Sequence, residues 1–366
     1  MTDNNPLPQS PNPLAAIIQP YVDRHELAGA VLLVADKENV LDLEVVGYAD
    51  IKAQTPMRPD SLFWIASQSK PIAAAALMML VDEGKVDVDA PVADYLPEYV
   101  DSWQIAEQDN EHQLLVRPSP SIAVHHLLTH TSGLPFSTSI EGPTRDMLPL
   151  HVTVRSYAAT PLQSAPGSKY QYSNAGINTA ARIVEVISGI PYETFLDERI
   201  FHPLGMKDST FWLNDEQMER LAKCYRPTAD GKDIEEHLLH QLHYPFNDRR
   251  RFAMPGGGLF STASDCAVFC QMVLNGGIYS GNRYLSETAV SQMTTRHTDP
   301  TWQESYGFGW DIGDNTFGHS GAVSTNMEVN KNLGLITVFL VQQAGFPGDG
   351  GNCCQEFKQR AVDLYG

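Results

Sequence analysis

A serine and a lysine three residues apart, Ser67 and Lys70, stand in the segment Ser67-Gln68-Ser69-Lys70-Pro71, just ahead of a run of Ala, Leu, Met and Val. On a helix, residues i and i+3 share a face, so the Lys70 amine can reach the Ser67 hydroxyl. Pro71 fits only within a first turn, where its missing N–H loses no bond. Ser67 is therefore expected at a helix N-terminus, where the dipole and free N–H groups favour developing negative charge. The stretch 72–81 is almost wholly apolar, so this helix is expected to be buried. A lysine at its start is desolvated, and its pKa is drawn down toward that of a general base. The pattern suits acyl transfer by a serine nucleophile and a lysine base. The plainer reading is an N-capping serine beside an exposed lysine, and a single S-x-x-K match arises readily by chance.

Two more segments bear on that choice. Tyr172-Ser173-Asn174 follows the turn-forming Ala165-Pro166-Gly167 and precedes a helical pattern. Taken alone, Tyr172 is a core phenol and Asn174 a helix N-cap. His319-Ser320-Gly321-Ala322 lies on or beside a strand near the C-terminus; taken alone it is a polar strand end with a glycine for a bulge. Chance does not readily supply all three, once each, in this order and with this placement.

The elements around them are legible from periodicity. Residues 14–25 read as a short helix, and AGAVLLVADKENVLDLEVVGYAD as an antiparallel hairpin turning at 36–39. A long helix follows over 68–83, ending at Gly84. Between 85 and 250 come helical segments at 124–128, 175–187 and 192–201, separated by long loops with Pro and Gly. Beyond Met254-Pro255-Gly256-Gly257-Gly258 a helix is expected over 263–274, then strands at 307–312, 315–319, 325–330 and 335–342, and a last helix at 355–364. Strands at both ends with helices between them imply an α/β (α+β) fold: one antiparallel sheet, flanked by helices and built from both termini, with an all-helical domain inserted. The expected division is 13–75 plus 255–366 for the sheet domain, 76–254 for a mostly helical insert, and a flexible arm over 1–12.

Composition narrows the function classes. The 366 residues carry 25 Lys plus Arg against 44 Asp plus Glu, a formal charge of −19, which repels phosphate backbones and anionic headgroups. Nucleic-acid and membrane partners are thus not expected. A hydrophobic share of 42% against 19% charged is globular rather than disordered. The longest apolar run, 72–81, is far short of the ~20 residues a spanning helix needs. The first basic residue is Arg24, so neither a basic nor an apolar leader region precedes it. A cytoplasmic location is expected, or a periplasmic or secreted one if an export signal has been removed. Five cysteines, Cys224, Cys266, Cys270, Cys353 and Cys354, include no C-x-x-C pair, so neither a zinc site nor a disulfide framework is expected.

Read together, the three motifs resemble those of the serine β-lactamase and penicillin-binding-protein superfamily. The nearest likeness is to the branch shared by class C β-lactamases, family VIII carboxylesterases, DD-peptidases and D-aminopeptidases. The stretches LFWIASQSKP, VHHLLTHTSGLP, PGSKYQYSNAGINTAARIVEVISG, FHPLGMKDSTF, PGGGLFSTASD and YGFGW extend it over nearly the whole chain. The resemblance implies a β-lactamase/transpeptidase-like fold with the active site between the two domains. It implies Ser67 as the acylated nucleophile, Lys70 as its proton acceptor, and Tyr172 as the relay to the leaving group. Asn174 would orient substrate and hold the Lys70 amine. His319 and Gly321 would form the third motif, and the Ala322 N–H would join that of Ser67 as oxyanion donor. Many β-lactamases have Lys where this chain has His319. A neutral imidazole grips a substrate carboxylate less strongly than an ammonium, which favours small esters or amides over penicillins. A β-lactamase, a D-Ala-D-Ala carboxypeptidase or D-aminopeptidase, and a catalytically silent sensor or assembly protein are the alternatives. No cofactor or metal is implied, and the partner expected is a small-molecule ester, amide or β-lactam.

Three rival sites compete. Gly318 to Ala322 nearly matches the G-x-S-x-G elbow with Ser320 as nucleophile, but that fold places its His after the Ser, and no His follows His319. His237, His240 and His243 cannot all face one ion on a regular helix. The triple glycine 256–258 lacks the Lys-Ser/Thr of a phosphate loop, and close backbone approach near the active site is expected instead. His125, His126 and His130 are expected as buried, hydrogen-bonded histidines.

Overall fold

The structure, a computed structural model, describes residues 12–366, so all but the last residue of the expected arm lies outside the described residues. Helix α1 (Ala15–Asp23) leads into strands β1 (Gly29–Ala35), β2 (Val40–Asp50) and β3 (Thr55–Pro56), then helix α2 (Ser69–Asp82). Helices α3 (Val124–Leu128), α4 (Leu150–Ala158) and α5 (Asn174–Ser188) follow, with shorter helical turns after them. Helix α6 (Ala263–Leu274) precedes strands β4 (Asp311–Ile312), β5 (Thr316–Ser320), β6 (Asn326–Asn330) and β7 (Leu335–Leu340), and helix α7 (Cys353–Tyr365) ends the chain. The strands form one sheet in the order β4-β5-β6-β7-β1-β2-β3, antiparallel throughout. Its centre joins the two ends of the sequence: Val31 lies opposite Leu340 and Leu33 opposite Val338.

Strand β1 carries no polar residue because both of its faces are covered. With a side-chain period of two, Val31 and Leu33 enter the core shared with α2 and α6, while Leu32 and Val34 pack under α1 and α7 with Ile18, Phe339 and Phe357. Fully burying each such Leu or Val stabilises the fold by about 2 kcal/mol. Helix α2 is buried on every side from Ile72 to Leu80, the pattern of a central helix rather than a surface one. It runs across the boundary expected at residues 75 and 76, packing against α5 from the middle of the chain. Helix α5 is capped by Ser173, whose Oγ accepts the Gly176 N–H at 3.0 Å, and ends at Gly189 with φ of 77°.

Two expectations are corrected. The strand expected over 307–312 is reduced to β4, because Gly309 turns left-handed with φ of 78° and lies hard against α2. A Cβ there would meet the Lys70 carbonyl oxygen at 2.9 Å. The stretch 76–254 is not all helical either: Gln104–Gln108 pairs with Gln113–Val116, and Tyr225–Pro227 with Ile234–Glu236. The first of these hairpins is mostly exposed and rich in Gln, so no alternating apolar signal announces it. Among the described residues no helix is long and apolar enough to cross a membrane. All five cysteines are free thiols.

Candidate active site

Ser67 does not sit inside α2 but in a 3₁₀ turn, Ala66–Gln68, that runs straight into it. Ala66 takes a left-handed φ of 47°, an uncommon conformation for a residue with a side chain. Ser69 fastens the turn by donating its hydroxyl to the Ala66 carbonyl at 2.6 Å. One turn on, Lys70 is completely buried. Its Nζ lies 2.9 Å from Ser67 Oγ, 2.8 Å from Asn174 Oδ1 and 2.6 Å from the Gly256 carbonyl oxygen. None of these neighbours is charged. Burial pushes the Lys70 amine well below its ordinary value of 10.5, Asp311 pulls it partly back, and Arg145 lowers it further.

A neutral amine has two N–H bonds and one lone pair. Gly256 offers a carbonyl that can only accept, and Asn174 presents its amide oxygen, so both N–H bonds are spoken for. The lone pair is left for Ser67, whose hydroxyl hydrogen it can take.

The Gly256 carbonyl is held by a relay that no motif announced. The Gly256 N–H donates to Asn178 Oδ1 at 2.8 Å, Asn178 Nδ2 donates to Tyr157 at 3.0 Å, and the Tyr157 hydroxyl donates to Glu141 at 2.6 Å. A side chain at Gly256 would crowd Asn174, since a Cβ there would lie 3.0 Å from its Oδ1. Upstream, buried Arg251 donates to Asp146 at 2.6 Å and to the carbonyls of Phe211 and Phe246, anchoring the chain just before Met254.

Tyr172 lies over the lysine, with Lys70 Nζ 4.6 Å from its ring centroid. Burial raises its hydroxyl above the ordinary range, a rise opposed by a hydrogen bond with Ser67, so the resting side chain is a neutral phenol. His319 is brought to the same block of rings, 6.3 Å from Tyr172, but its nitrogens point elsewhere. Nδ1 lies 2.8 Å from the Ser320 carbonyl and Nε2 2.9 Å from the Tyr306 hydroxyl. Nδ1 must therefore donate and Nε2 accept. Burial, and next the Lys70 charge, hold the imidazole down to about 3, so it is neutral. Gly321 is required for close approach: a Cβ there would collide with Thr325 Oγ1 and meet the Ile65 carbonyl at 2.6 Å.

Ser67, Tyr172, Asn174, Gly321 and Ala322 border one cavity of about 300 Å³, whereas Lys70 and His319 stand behind its wall. Trp64, Phe136 and Met254 supply apolar surface, Gln241 adds a polar group, and no lining residue is charged. Trp64 is fixed by donating its indole N–H to the Gly257 carbonyl at 2.6 Å. A larger hollow of about 520 Å³ lies between Asp60, Asp208, Asp265 and Arg220, where Arg220 is already paired with Asp208. Of the rival histidines, His237 and His240 pack ring to ring at 5.1 Å and His243 faces Asp248 at 3.6 Å. His126 accepts the Ala123 N–H at 3.0 Å and is held down to about 4 by burial.

Comparison with known proteins adds independent findings. Residues 14–353 match the β-lactamase family. The chain is 34% identical over 364 residues to Protein Rv1367c of Mycobacterium tuberculosis, covering 89% of this chain and 88% of that one. It is 31% identical over 324 residues to Esterase EstB of Burkholderia gladioli, covering 82% and 78%. Among solved structures, EstCE1, a hydrolase with promiscuous acyltransferase activity, superposes with a TM-score of 0.78 at 23% identity, covering 96% and 97% of the two chains.

Proposed function

The chain belongs to the β-lactamase family of hydrolases, and from that premise we propose that it is a serine hydrolase that cleaves small, uncharged carboxylic esters through an acyl-enzyme. The observation that carries this reading is the buried Lys70 amine, 2.9 Å from Ser67 Oγ and held by two uncharged acceptors, Asn174 Oδ1 and the Gly256 carbonyl. Ser67 Oγ attacks the substrate carbonyl while its proton passes to Lys70. The oxyanion forms against the Ser67 and Ala322 N–H groups, donors worth about 3 kcal/mol each in such intermediates. Collapse breaks the ester bond as the Tyr172 phenol gives its proton to the departing oxygen, and the Lys70 ammonium restores it. Water then attacks the acyl carbonyl, its proton is taken by Lys70, and Ser67 leaves with that proton as the acid departs.

The preference for neutral esters rests on the cavity and on His319. No charged side chain lines the space beside Ser67, and His319 is neutral with both nitrogens engaged. A carboxylate on a penicillin or a peptide terminus would find no charged residue on the cavity wall, Arg145 being stacked on the Phe136 ring instead. The likeness to Esterase EstB supports the same choice. The test is labelling with a fluorophosphonate together with a substrate panel. Wild type should label and turn over p-nitrophenyl acetate and butyrate ahead of nitrocefin, D-Ala-D-Ala peptides and D-amino-acid amides, and Ser67→Ala should do neither. Equal labelling of Ser67→Ala would overturn the acyl-enzyme. Faster turnover of nitrocefin would overturn the substrate class.

A further inference from the structure

We infer that His130 is the positioning residue for Tyr172, gripping the backbone on both sides of it and its ring from one face. The inference rests on the catalytic role of Tyr172 proposed above. His130 stands just beyond α3, in the stretch VHHLLTHTSGLP, and only 1% of it is exposed. Its carbonyl oxygen accepts the Gln171 N–H at 2.7 Å, and its Nδ1 accepts the Ser173 N–H at 3.2 Å. Tyr172 is the residue between those two bonds. The His130 ring also packs on the Tyr172 ring with centroids 4.4 Å apart, and on Tyr306 at 4.7 Å. Tyr306 is the phenol bonded to His319, so His130 joins the second motif to the third.

Two features are costly unless they serve that grip. His130 holds a left-handed φ of 59°, a strained conformation for a non-glycine residue. Because Nδ1 accepts, the ring proton is on Nε2, which is buried without a hydrogen-bond partner, and such an unsatisfied donor is destabilising. The grip works only while the ring is neutral, since a protonated imidazole has no acceptor left for Ser173. Burial above all keeps it so.

Three variants separate the grip from general packing. His130→Ala removes acceptor and ring, His130→Phe keeps a ring without the acceptor, and His130→Asn offers an amide oxygen near the place of Nδ1 and tolerates the left-handed backbone. With p-nitrophenyl acetate, His130→Ala should lower kcat about a hundredfold with KM within about threefold, as expected for a misplaced catalytic group. His130→Asn should recover most of that loss and His130→Phe should not. In a Tyr172→Phe background, His130→Ala should cost nothing more. Rates of fluorophosphonate labelling, read at a temperature where each variant is folded, give the same comparison where turnover is too slow. Asn recovering no better than Phe, or losses that multiply in the double variant, would overturn the inference. Tyr172→Phe leaving kcat unchanged would instead overturn the role of Tyr172 itself.

Discussion

Two basic side chains, Lys70 and Arg251, are buried in the protein and have opposite surroundings. Arg251 meets a carboxylate, Asp146, at 2.6 Å and two backbone carbonyls, with both side chains about 1% exposed. Lys70 is as deeply buried but meets a hydroxyl, an amide and a carbonyl. A bonded carboxylate repays the desolvation of a cation only when the geometry is close and the remaining donors are satisfied. Arg251, bonded to its carboxylate and to two carbonyls, ties together the segments at 146, 211 and 246. Lys70 has hydrogen-bond acceptors but no bonded counter-charge, so burial pushes its amine toward the neutral form instead. The same depth of burial yields a structural pin in one place and a base in the other, and the nearest carboxylate decides which.

The largest effect should come from Lys70→Met. Without the base, kcat/KM for p-nitrophenyl acetate should fall by about three to four orders of magnitude, while the melting temperature holds or rises because no bonded ion pair is lost. A fall in stability like that of the Arg251 pair would break the contrast. Asp146→Asn comes next: it strands a buried guanidinium and should cost about 3–5 kcal/mol in urea unfolding. The protein still folded should keep its kcat. Unchanged stability would show that Arg251 needs no counter-charge and would erase the difference between the two sites. The smallest effect should come from Asp311→Asn. The Asp311 charge favours the protonated form of Lys70, so its removal lowers the lysine pKa and the free base persists to lower pH. The acid limb of kcat/KM should move down by less than about one unit, and a shift upward would contradict that assignment.

Much of the site was legible because its residues are local. The spacing of Ser67 and Lys70 and the apolar run behind them already imply a buried lysine beside a serine, and the structure has both. Of the two acceptors that hold the lysine, Asn174 was implied by the family resemblance, whereas Gly256 was not legible. Gly256 acts through its backbone carbonyl, which has no residue signature, and Asn178 and Tyr157 reach it only through folding. His319 was readable as a position, whereas its engagement by Tyr306 and Ser320 depends on how β4 and β5 meet the preceding loop. His130 looked like packing because a histidine that accepts a backbone N–H leaves no trace in spacing. In the fold, apolar β1 and β7 were plain, and Gly309 cut short the neighbouring strand for a reason that only the approach of α2 supplies.

Val31 pairs with Leu340, so the innermost ladder of the sheet joins residues whose synthesis is separated by most of the sequence. On the ribosome, β1 and β2 can close their hairpin early, yet the other edge of β1 must wait for β7. Contacts so distant in sequence slow folding, and an apolar strand with an open edge invites misassembly meanwhile. Ser67 is likewise translated long before Gly256, His319 and Ala322. A nascent fragment therefore carries Ser67 without Gly256, His319 and Ala322, and the proposed site is assembled in a single late event when β7 docks.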